Sequence, residues 1–481
     1  MTAVRSTRPT MFRCIRLATA AVIGVALLLA TAAASANDGD SAPLWLTSAE
    51  VGVGPIDDAL FVHLTPRLSY LRPVPLVGCD GATGCTTLLE VSLHIPLRIS
   101  IDADHDGWLR RRDWREVSDF FRLIRRVEYG SPEESIHLRA GEIGPAHLGH
   151  GTLVNGYYNV VTTDHYRLGL NGHIDRPRWG AELLINDLTG PNLVGLRGRY
   201  RPPVLYEPDS DAQQFSLGAS LVTDLTAPYQ LETVGDSEQP VASPDFHPAT
   251  ETTRPTTAFG VDVRWEGLDR TDWDLTPYTD INHHIGLGSG VHTGVLWNQN
   301  FGTSLRLSSR LEYRLLTARY LPDYFDPVYE ITRYRHPSMG TGGFAGPKLR
   351  AAASADEALR HGGFGQVSAR IRNWITLSAA FSDGTGHTGA DLRLRASFDY
   401  QDRARVGFFF YQFSSGPRDF GSTLRELTRL DGALAALEGR IDIAGPLYAQ
   451  GQYARQWQLR EDGRFDNIHL WNLGLGMGTQ F

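Results

Sequence analysis

The chain has 481 residues, of which 42% are apolar and 21% charged, and its 54 acidic and 46 basic residues give a formal net charge of -8. This composition excludes a disordered, collagen-like or coiled-coil chain, and the acidic balance is unfavourable for nucleic-acid binding. The mean hydropathy is slightly negative, which argues against a bundle of membrane helices.

The one long apolar run is N-terminal and has the layout of a secretory signal. Arg5, Arg8, Arg13 and Arg16 precede the apolar residues 17–30, and Ala-Ser-Ala at 34–36 is a small-residue cleavage site. The apolar run is shorter than the ~20 residues that a membrane-spanning helix needs. We therefore expect 1–36 to be a cleaved signal peptide and 37–481 to be the exported domain.

Two cysteines follow in a glycine-rich stretch. Cys79 and Cys85 have five residues between them and no neighbouring C-x-x-C or histidine partner that would favour a metal or redox site. Disulfides form in the oxidising compartments that exported proteins reach. The spacing therefore predicts a disulfide that closes a loop.

From residue 60 onward, apolar and polar residues alternate repeatedly with the two-residue period of a β-strand. The alternation is clearest over 89–99, 305–315 and 392–398. Further segments are 166–174, 179–187, 213–223, 257–267, 362–381, 404–413 and 446–459. Such runs exceed the ~5–6 residues of a typical sandwich strand and match the ~9–11 residues of a tilted transmembrane strand. They favour a membrane barrel over a secreted sandwich.

The last residues strengthen that prediction. Counting back from Phe481, one face carries Met477, Leu475, Leu473 and Trp471, while the other is polar or glycine. A terminal aromatic on an amphipathic final strand resembles the assembly signal of Gram-negative outer-membrane β-barrel proteins. The resemblance implies an outer-membrane location, contact with outer-membrane lipid, and engagement of the barrel assembly machinery through the C-terminal strand.

The predicted fold is therefore an all-β, closed antiparallel transmembrane barrel. We count 14 to 18 strands and expect 16, because bacterial barrels have even numbers of strands. Two insertions are longer than turns, at 225–256 and 320–361. Long loops lie on the extracellular side of such barrels or fold inward as constrictions.

One segment has the spacing of a metal site. Asp102, Asp104 and Asp106 occupy positions 1, 3 and 5 of a D-x-D-x-D-G loop, Trp108 supplies the seventh-position carbonyl, and Asp113 stands at position 12. The loop resembles an EF-hand calcium loop. It departs from that pattern by an arginine at position 9, by Asp at position 12, and by a preceding strand. A structural calcium ion is the hypothesis, and an Asp-rich turn held by its own hydrogen bonds is the alternative.

The residues after this loop have helical periodicity. Within 114–127 the apolar face consists of Trp114, Val117, Phe120, Phe121, Ile124 and Val127. We predict one inserted amphipathic helix and treat 102–130 as an insertion of loop plus helix. With two strands before it, the insertion should lie at the periplasmic rim or inside the lumen.

Polar faces of the predicted strands carry many charges. Those expected to face the lumen are Arg98, Arg264, Arg306, Arg310, Glu312, Arg314, Arg393 and Arg395. The main hypothesis is a porin-like channel for small solutes, in which these arginines would favour anions and the acids among them would reduce that preference. No G-x-S-x-G, H-E-x-x-H or P-loop motif occurs, so we do not predict an enzyme. The alternatives are a closed structural or adhesive barrel plugged by 102–130, and a barrel enzyme acting on lipid.

Overall fold

The structure is a computed structural model. It describes residues 43–56, 59–77, 86–101, 108–115, 117–160, 166–203, 214–233, 240–241, 248–317, 319–335, 346–354, 359–372, 374–384, 390–401, 403–414, 425, 433–459 and 465–480. The expected signal peptide, both cysteines, the first three aspartates of the calcium-like loop and Phe481 lie outside these ranges.

Strands dominate the described chain. They are β1 (Leu44–Ile56), β2 (Ala59–Pro75), β3 (Thr86–His94), β4 (Leu97–Ser100), β5 (Ile124–Tyr129), β6 (Ile136–Gly141), β7 (Ala146–His147), β8 (Asn155–Tyr157), β9 (Gly169–Asp175), β10 (Trp179–Ile185), β11 (Leu193–Tyr200), β12 (Phe215–Leu231), β13 (Thr250–Trp265), β14 (Leu268–Asp269), β15 (Trp273–His284), β16 (Gly288–Phe301), β17 (Leu305–Leu316), β18 (Arg360–Ile371), β19 (Ile375–Gly384), β20 (Ala390–Tyr400), β21 (Ala404–Ser414), β22 (Leu434–Ala444), β23 (Leu447–Leu459) and β24 (Phe465–Gln480).

Helical segments are few and short. Among the described residues they are the 3-10 turns Arg111–Trp114 and Val117–Leu123 and the α-helices α1 (Tyr329–Thr332) and α2 (Lys348–Ala353). No helix in this part of the chain is long and apolar enough to cross a membrane.

The main sheet closes on itself. All neighbouring strands are antiparallel, and β1 pairs with β24 from Leu46↔Gln480 to Val53↔Leu473. β3 and β4 both pair with β2 and together occupy one position in the wall. β13 and β14 both pair with β15 and likewise occupy one position. The described residues therefore form a wall of twenty strands, with β7 and β8 in a separate pair. Closure leaves no sheet edge, so the wall's backbone groups can pair strand to strand.

The expectation of about 16 strands is wrong. The alternating run 362–381 contains two strands, β18 and β19, which reverse through a tight turn where Arg372 has φ +46. That turn contains no glycine or proline, and the sequence marks it only by two successive polar residues, 372 and 373, followed by two apolar ones, 374 and 375. β5 and β6 are only six residues long each, too short to give a clear periodic signal.

The amphipathic helix predicted for 114–127 is also wrong. The chain forms 3-10 turns up to Leu123 and then enters β5, which pairs with β3 at Glu90↔Glu128. Pairing in the wall satisfies the backbone of residues 124–129, and this tertiary interaction overrides the helical periodicity. Phe120, on the predicted apolar face, is 53% exposed.

The position of this insertion differs from the expectation as well. Three wall positions, β1, β2 and the β3–β4 line, precede it rather than two. The described residues 101, 108–115 and 117–123 therefore lie at the rim opposite Leu44 and Gln480. We call that end the loop rim, because the long connections 142–168 and 317–359 also leave the wall there, and we call the other end the terminal rim.

The two faces of the wall have opposite character. On β17, Leu311 and Tyr313 point outward and are 57% and 58% exposed, whereas Arg310, Glu312 and Arg314 point inward and are buried. This is the reverse of a water-soluble protein and matches a barrel whose outer face meets lipid. The apolar face of the last strand, predicted from the sequence, also points outward.

Candidate functional site: the barrel lumen

Two connections from the loop rim fold into the lumen and bind each other. The first carries β7 and β8, and the second is the segment 320–335, which we call the crossbar. The backbone N–H groups of Asp323 and Phe325 donate to the carbonyls of Thr152 and Leu153, and Asn155 N–H donates to the carbonyl of Phe325, each at 3.1 Å. The two insertions therefore form one body inside the barrel.

Apolar side chains attach this body to the inner wall. Val154, Phe325 and Tyr329 are fully buried against inward-facing apolar residues of the wall, such as Leu184 on β10 and Val222 on β12. Burial of this apolar surface supplies the main stabilising energy for an insertion that has little regular secondary structure of its own.

The crossbar spans the lumen. At one side, the Tyr329 hydroxyl donates to Asp224 of β12 at 2.6 Å. At the other, Val328 packs in a buried cluster with Tyr411 of β21 and Leu434 of β22. β12 and β21 lie nearly opposite each other in the ring, so one short segment contacts both sides of the wall.

Buried charges hold the middle of the crossbar. Arg314 donates to both carboxylate oxygens of Asp323 at 3.2 Å, and the guanidinium groups of Arg393 and Arg310 lie 3.5 and 3.9 Å from it. Glu312 accepts from Arg310 at 2.7 Å and from Arg314 at 2.8 Å. Burial alone would raise the pKa of Asp323, but Arg314, Arg393 and Arg310 hold that pKa below its usual value.

A second group of charges holds the crossbar near β12. Glu330 accepts hydrogen bonds from Tyr157 and forms an ion pair with Arg167, both on the first insertion. Arg333 lies 3.1 Å from Asp224 and 3.6 Å from Glu330. Burial acts to raise the pKa of Glu330, but Arg167 and Arg333 keep it below its usual value. Asp323 and Glu330 are therefore ionised at neutral pH.

The inserted body leaves part of the lumen open to solvent. Ala436 and Glu438 of β22 and Gln452 of β23 occupy inward-facing register positions, yet all three are exposed. Toward the terminal rim, the inward-facing Arg306, on β17, is exposed as well. Water therefore reaches the inner face along β22 and β23 and below the crossbar.

One arginine stands beside this open side without a carboxylate partner among the described residues. The guanidinium carbon of Arg395, on β20, lies 4.9 Å from the ring of Tyr158 and 5.5 Å from the ring of Phe409. Gly156 brings the backbone of the first insertion close to it, since a Cβ there would lie 3.3 Å from the guanidinium. Burial raises the pKa of Tyr158, and the charges of Arg395 and Arg139 oppose that shift.

The predicted lumen residues divide into three groups. Arg310, Glu312, Arg314 and Arg393 form the network that holds the crossbar. Arg264 pairs with Glu266 and Arg98 with Asp113, each on the inner side of the wall. Arg306 is exposed in the lumen, and Arg395 is partly buried there.

Of the calcium-like loop, Trp108 and Asp113 are described. Trp108 is 72% exposed, and Asp113 lies 3.3, 2.7 and 3.4 Å from the guanidinium groups of Arg98, Arg110 and Arg122. Within the described ranges, no group of three metal-ligating side chains occurs. Asp113 thus neutralises arginines at the loop rim, and calcium binding stays a prediction.

Sequence reasoning missed the residues that hold the crossbar. Asp323 and Glu330 lie in 320–361, which the sequence predicts only as a long insertion, as does Asp326, which lies 2.6 Å from the Lys348 ammonium. Three carboxylates and four tyrosines within 320–335 are unusual for a solvated loop, and this density is the signal that could have indicated an inward position.

Comparisons with known proteins give structural likenesses only. No family model matches the chain, and no curated protein matches it. Among solved structures, the chain is similar to the Pseudomonas aeruginosa outer membrane protein opdK, with 11% identity, 91% of this chain and 99% of that chain covered, and a TM-score of 0.34. It is similar to P. aeruginosa OccK11 (OpdR), with 10% identity, 92% and 96% covered, and a TM-score of 0.34. It is also similar to Acinetobacter baumannii OccAB3, with 10% identity, 92% of this chain and 100% of that chain covered, and a TM-score of 0.33.

Proposed function

We propose that the protein is an outer-membrane channel for small solutes. The observation that carries the proposal is the combination of an apolar outer face, a charged inner face and an inner surface along β22 and β23 that stays open to solvent beside the crossbar. A closed structural barrel would need that side filled as well. The described part of 102–130 lies at the rim and in the wall, so it does not supply the plug of the alternative hypothesis.

The proposed outer-membrane location implies that the chain is exported and then inserted into the membrane. We infer that the N-terminal signal is cleaved on export and that β24, with its outward apolar face, is the strand that the assembly machinery recognises. Both inferences rest on the sequence features described above and on the position of β24 at the closing seam.

We propose that the channel prefers anions and that Arg395 is the main cause. Most lumen arginines face a carboxylate at ion-pair distance, so their charge is compensated, whereas Arg395 contacts two aromatic rings. An uncompensated cation beside a narrow aqueous path raises the local concentration of anions.

Planar-bilayer recording tests both statements. Purified, refolded protein should give discrete conductance steps, and the reversal potential in a potassium chloride gradient should indicate anion preference. Arg395→Gln should shift that potential toward cation preference. Arg395→Lys is the matched control: it keeps the positive charge at the same position, so its reversal potential should stay close to that of the parent. Folded protein that never conducts would exclude the channel, and equal shifts in both variants would exclude the role of Arg395.

A further inference from the structure

A groove of about 620 Å³ lies on the outer face of the barrel, across β16 to β19. Its floor is formed by the outward-facing positions of β18, where Gly363 and Gly365 have no side chain. Leu311 and Tyr313 of β17 form one side wall, and Phe381 of β19 forms the other. Most of its surface is apolar, with Asp383 at one end.

The two glycines are not required by the backbone. Neither has a positive φ, and a Cβ would meet only the Glu312 carbonyl oxygen at 3.8 Å from Gly363 and the Leu311 Cδ2 at 3.5 Å from Gly365. Both distances are ordinary van der Waals contacts. Glycine inside a strand normally weakens it, because no side chain packs there and more backbone entropy is lost on folding. What the glycines provide here is the empty space itself.

The groove lies in the half of the wall nearer the loop rim. β18 starts at that rim with Arg360, and β19 ends there with Gly384. Gly363 pairs with Asp383 across the β18–β19 ladder and with Tyr313 across the β17–β18 ladder. Asp383, at the polar end of the groove, is therefore level with Gly363 and closer to the rim than Gly365.

We propose that this groove binds an acyl chain of a lipid in the leaflet on the loop-rim side. The proposal rests on the bilayer location given above. The groove is surrounded by exposed apolar side chains that face the hydrocarbon of the bilayer. Its polar end lies on the side where the lipid head group would be. A second copy of the chain fits less well, because stable interfaces need a broad complementary surface, whereas here the aromatic and leucine side chains project beside a narrow cleft.

Photo-crosslinking in the full-length protein tests the occupant. A benzophenone amino acid replaces Tyr313 at the edge of the groove, and a control variant carries it at Leu221, which points outward from β12 and is similarly exposed. Each protein is folded into dioleoylphosphatidylcholine vesicles, extracted into mild detergent to remove loosely held lipid, and irradiated. Mass spectrometry should then find a lipid adduct several-fold more often at position 313 than at 221.

A second experiment fills the groove with side chains in the protein that carries the crosslinker at position 313. Gly363→Leu combined with Gly365→Leu should abolish the excess lipid adduct, whereas Gly198→Leu should not. Gly198 faces outward from β11, and a Cβ there meets nothing within 4 Å, so it is a matched control for leucine on the lipid face. Equal adduct yields at 313 and 221 in the unfilled protein would overturn the proposal, as would a protein dimer as the main product.

Bilayer location and channel activity are measured on the same samples by vesicle flotation and conductance. A protein that floats and conducts but shows no excess adduct contradicts only the lipid site. A protein that does not float contradicts the bilayer location on which the site depends. Because the adduct at position 313 is measured without any glycine substitution, the proposal stays testable even if the filled variant fails to fold.

Discussion

At the scale of single residues, Asp323 joins the crossbar to two strands of the wall. The residue is 2% exposed, and its carboxylate faces the guanidinium groups of Arg310, Arg314 and Arg393. A buried ion pair adds little net stability compared with apolar packing, but removing one partner leaves the others uncompensated. The expected cost of changing this residue is therefore large.

Asp323→Asn should lower the free energy of unfolding by about 3–5 kcal/mol, because it leaves three buried guanidinium groups without their shared carboxylate. Urea unfolding of the vesicle-folded protein measures this. Asp399→Asn is the control, since Asp399 pairs with Arg405 at a half-exposed lumen position, where such pairs contribute about 0–1 kcal/mol. Equal destabilisation by the two changes would contradict the proposed network.

The same network predicts that the free energy of unfolding depends on pH. The pKa values of Asp323 and Glu330 are lowered in the folded protein, so the stability that they contribute is fully present above their unfolded pKa of about 4. That stability is lost as the pH falls below this value through the folded pKa. Stability measured from pH 7 down to pH 3 should fall more steeply in the parent than in the Asp323→Asn variant. Parallel curves would show that the network does not titrate as described.

The predicted calcium site can also be tested by changing a single residue. If residues 102–113 bind the ion, the parent should have a higher Tm in calcium than in chelator, and Asp104→Ala should remove that difference without changing the Tm in chelator. Thermal unfolding followed by circular dichroism measures both. Identical melting of the parent in calcium and chelator would leave Asp113 with its arginine contacts alone.

At the scale of elements, each wall strand separates lipid from lumen by residue parity. On β17 the odd positions face outward and the even positions inward, so a shift of one residue would put Arg310, Glu312 and Arg314 into hydrocarbon. The register is therefore strongly fixed by the cost of charge in lipid, which is why long alternating strands could be recognised from the sequence.

Leu311→Arg and Ser308→Arg test this polarity on one strand. Leu311 faces outward near the middle of β17, so arginine there should cost about 2–4 kcal/mol of folding free energy in vesicles. Ser308 faces the lumen, where arginine should be tolerated with a much smaller loss. The measurement is urea unfolding in the same vesicles. Similar costs at both positions would contradict the assigned faces.

At the scale of the whole molecule, the crossbar spans the lumen of the proposed channel. It contacts β12 at one side and β21 and β22 at the other, and it binds the first insertion between them. The wall itself is closed by strand pairing, which does not depend on the crossbar. Wall and crossbar should therefore be separable by mutation.

Replacing residues 320–353 with a short glycine-serine linker should leave a folded barrel with a several-fold larger conductance, because the described segment that spans the lumen is removed. Planar-bilayer recording gives the conductance, and circular dichroism with heat-shifted gel mobility checks the wall. Replacing residues 445 and 446, the turn between β22 and β23 at the terminal rim, with glycine and serine is the control and should change conductance less. Unchanged conductance after crossbar removal would place the constriction elsewhere.

Prediction from the sequence succeeded where a single face of a long strand meets lipid. The alternation at 305–315 and the outward face of residues 471–477 are examples, because one residue in two must be apolar there. It failed at residues 114–127, where helical periodicity gave way to pairing with β3, and at 362–381, where a glycine-free turn hides the boundary between two strands. It also could not indicate which lumen arginines are compensated.

The sequence by itself determined that this chain forms an amphipathic all-β structure with charged residues on the inner face, because alternation is a local property that each strand must satisfy against its own two environments. Only the tertiary structure decided the number of wall strands, the inward path of the crossbar, and the contrast between Arg314, which is bound to Asp323, and Arg395, which meets no carboxylate among the described residues. Those features depend on contacts between segments far apart in the chain, and residue order does not specify which distant partners meet.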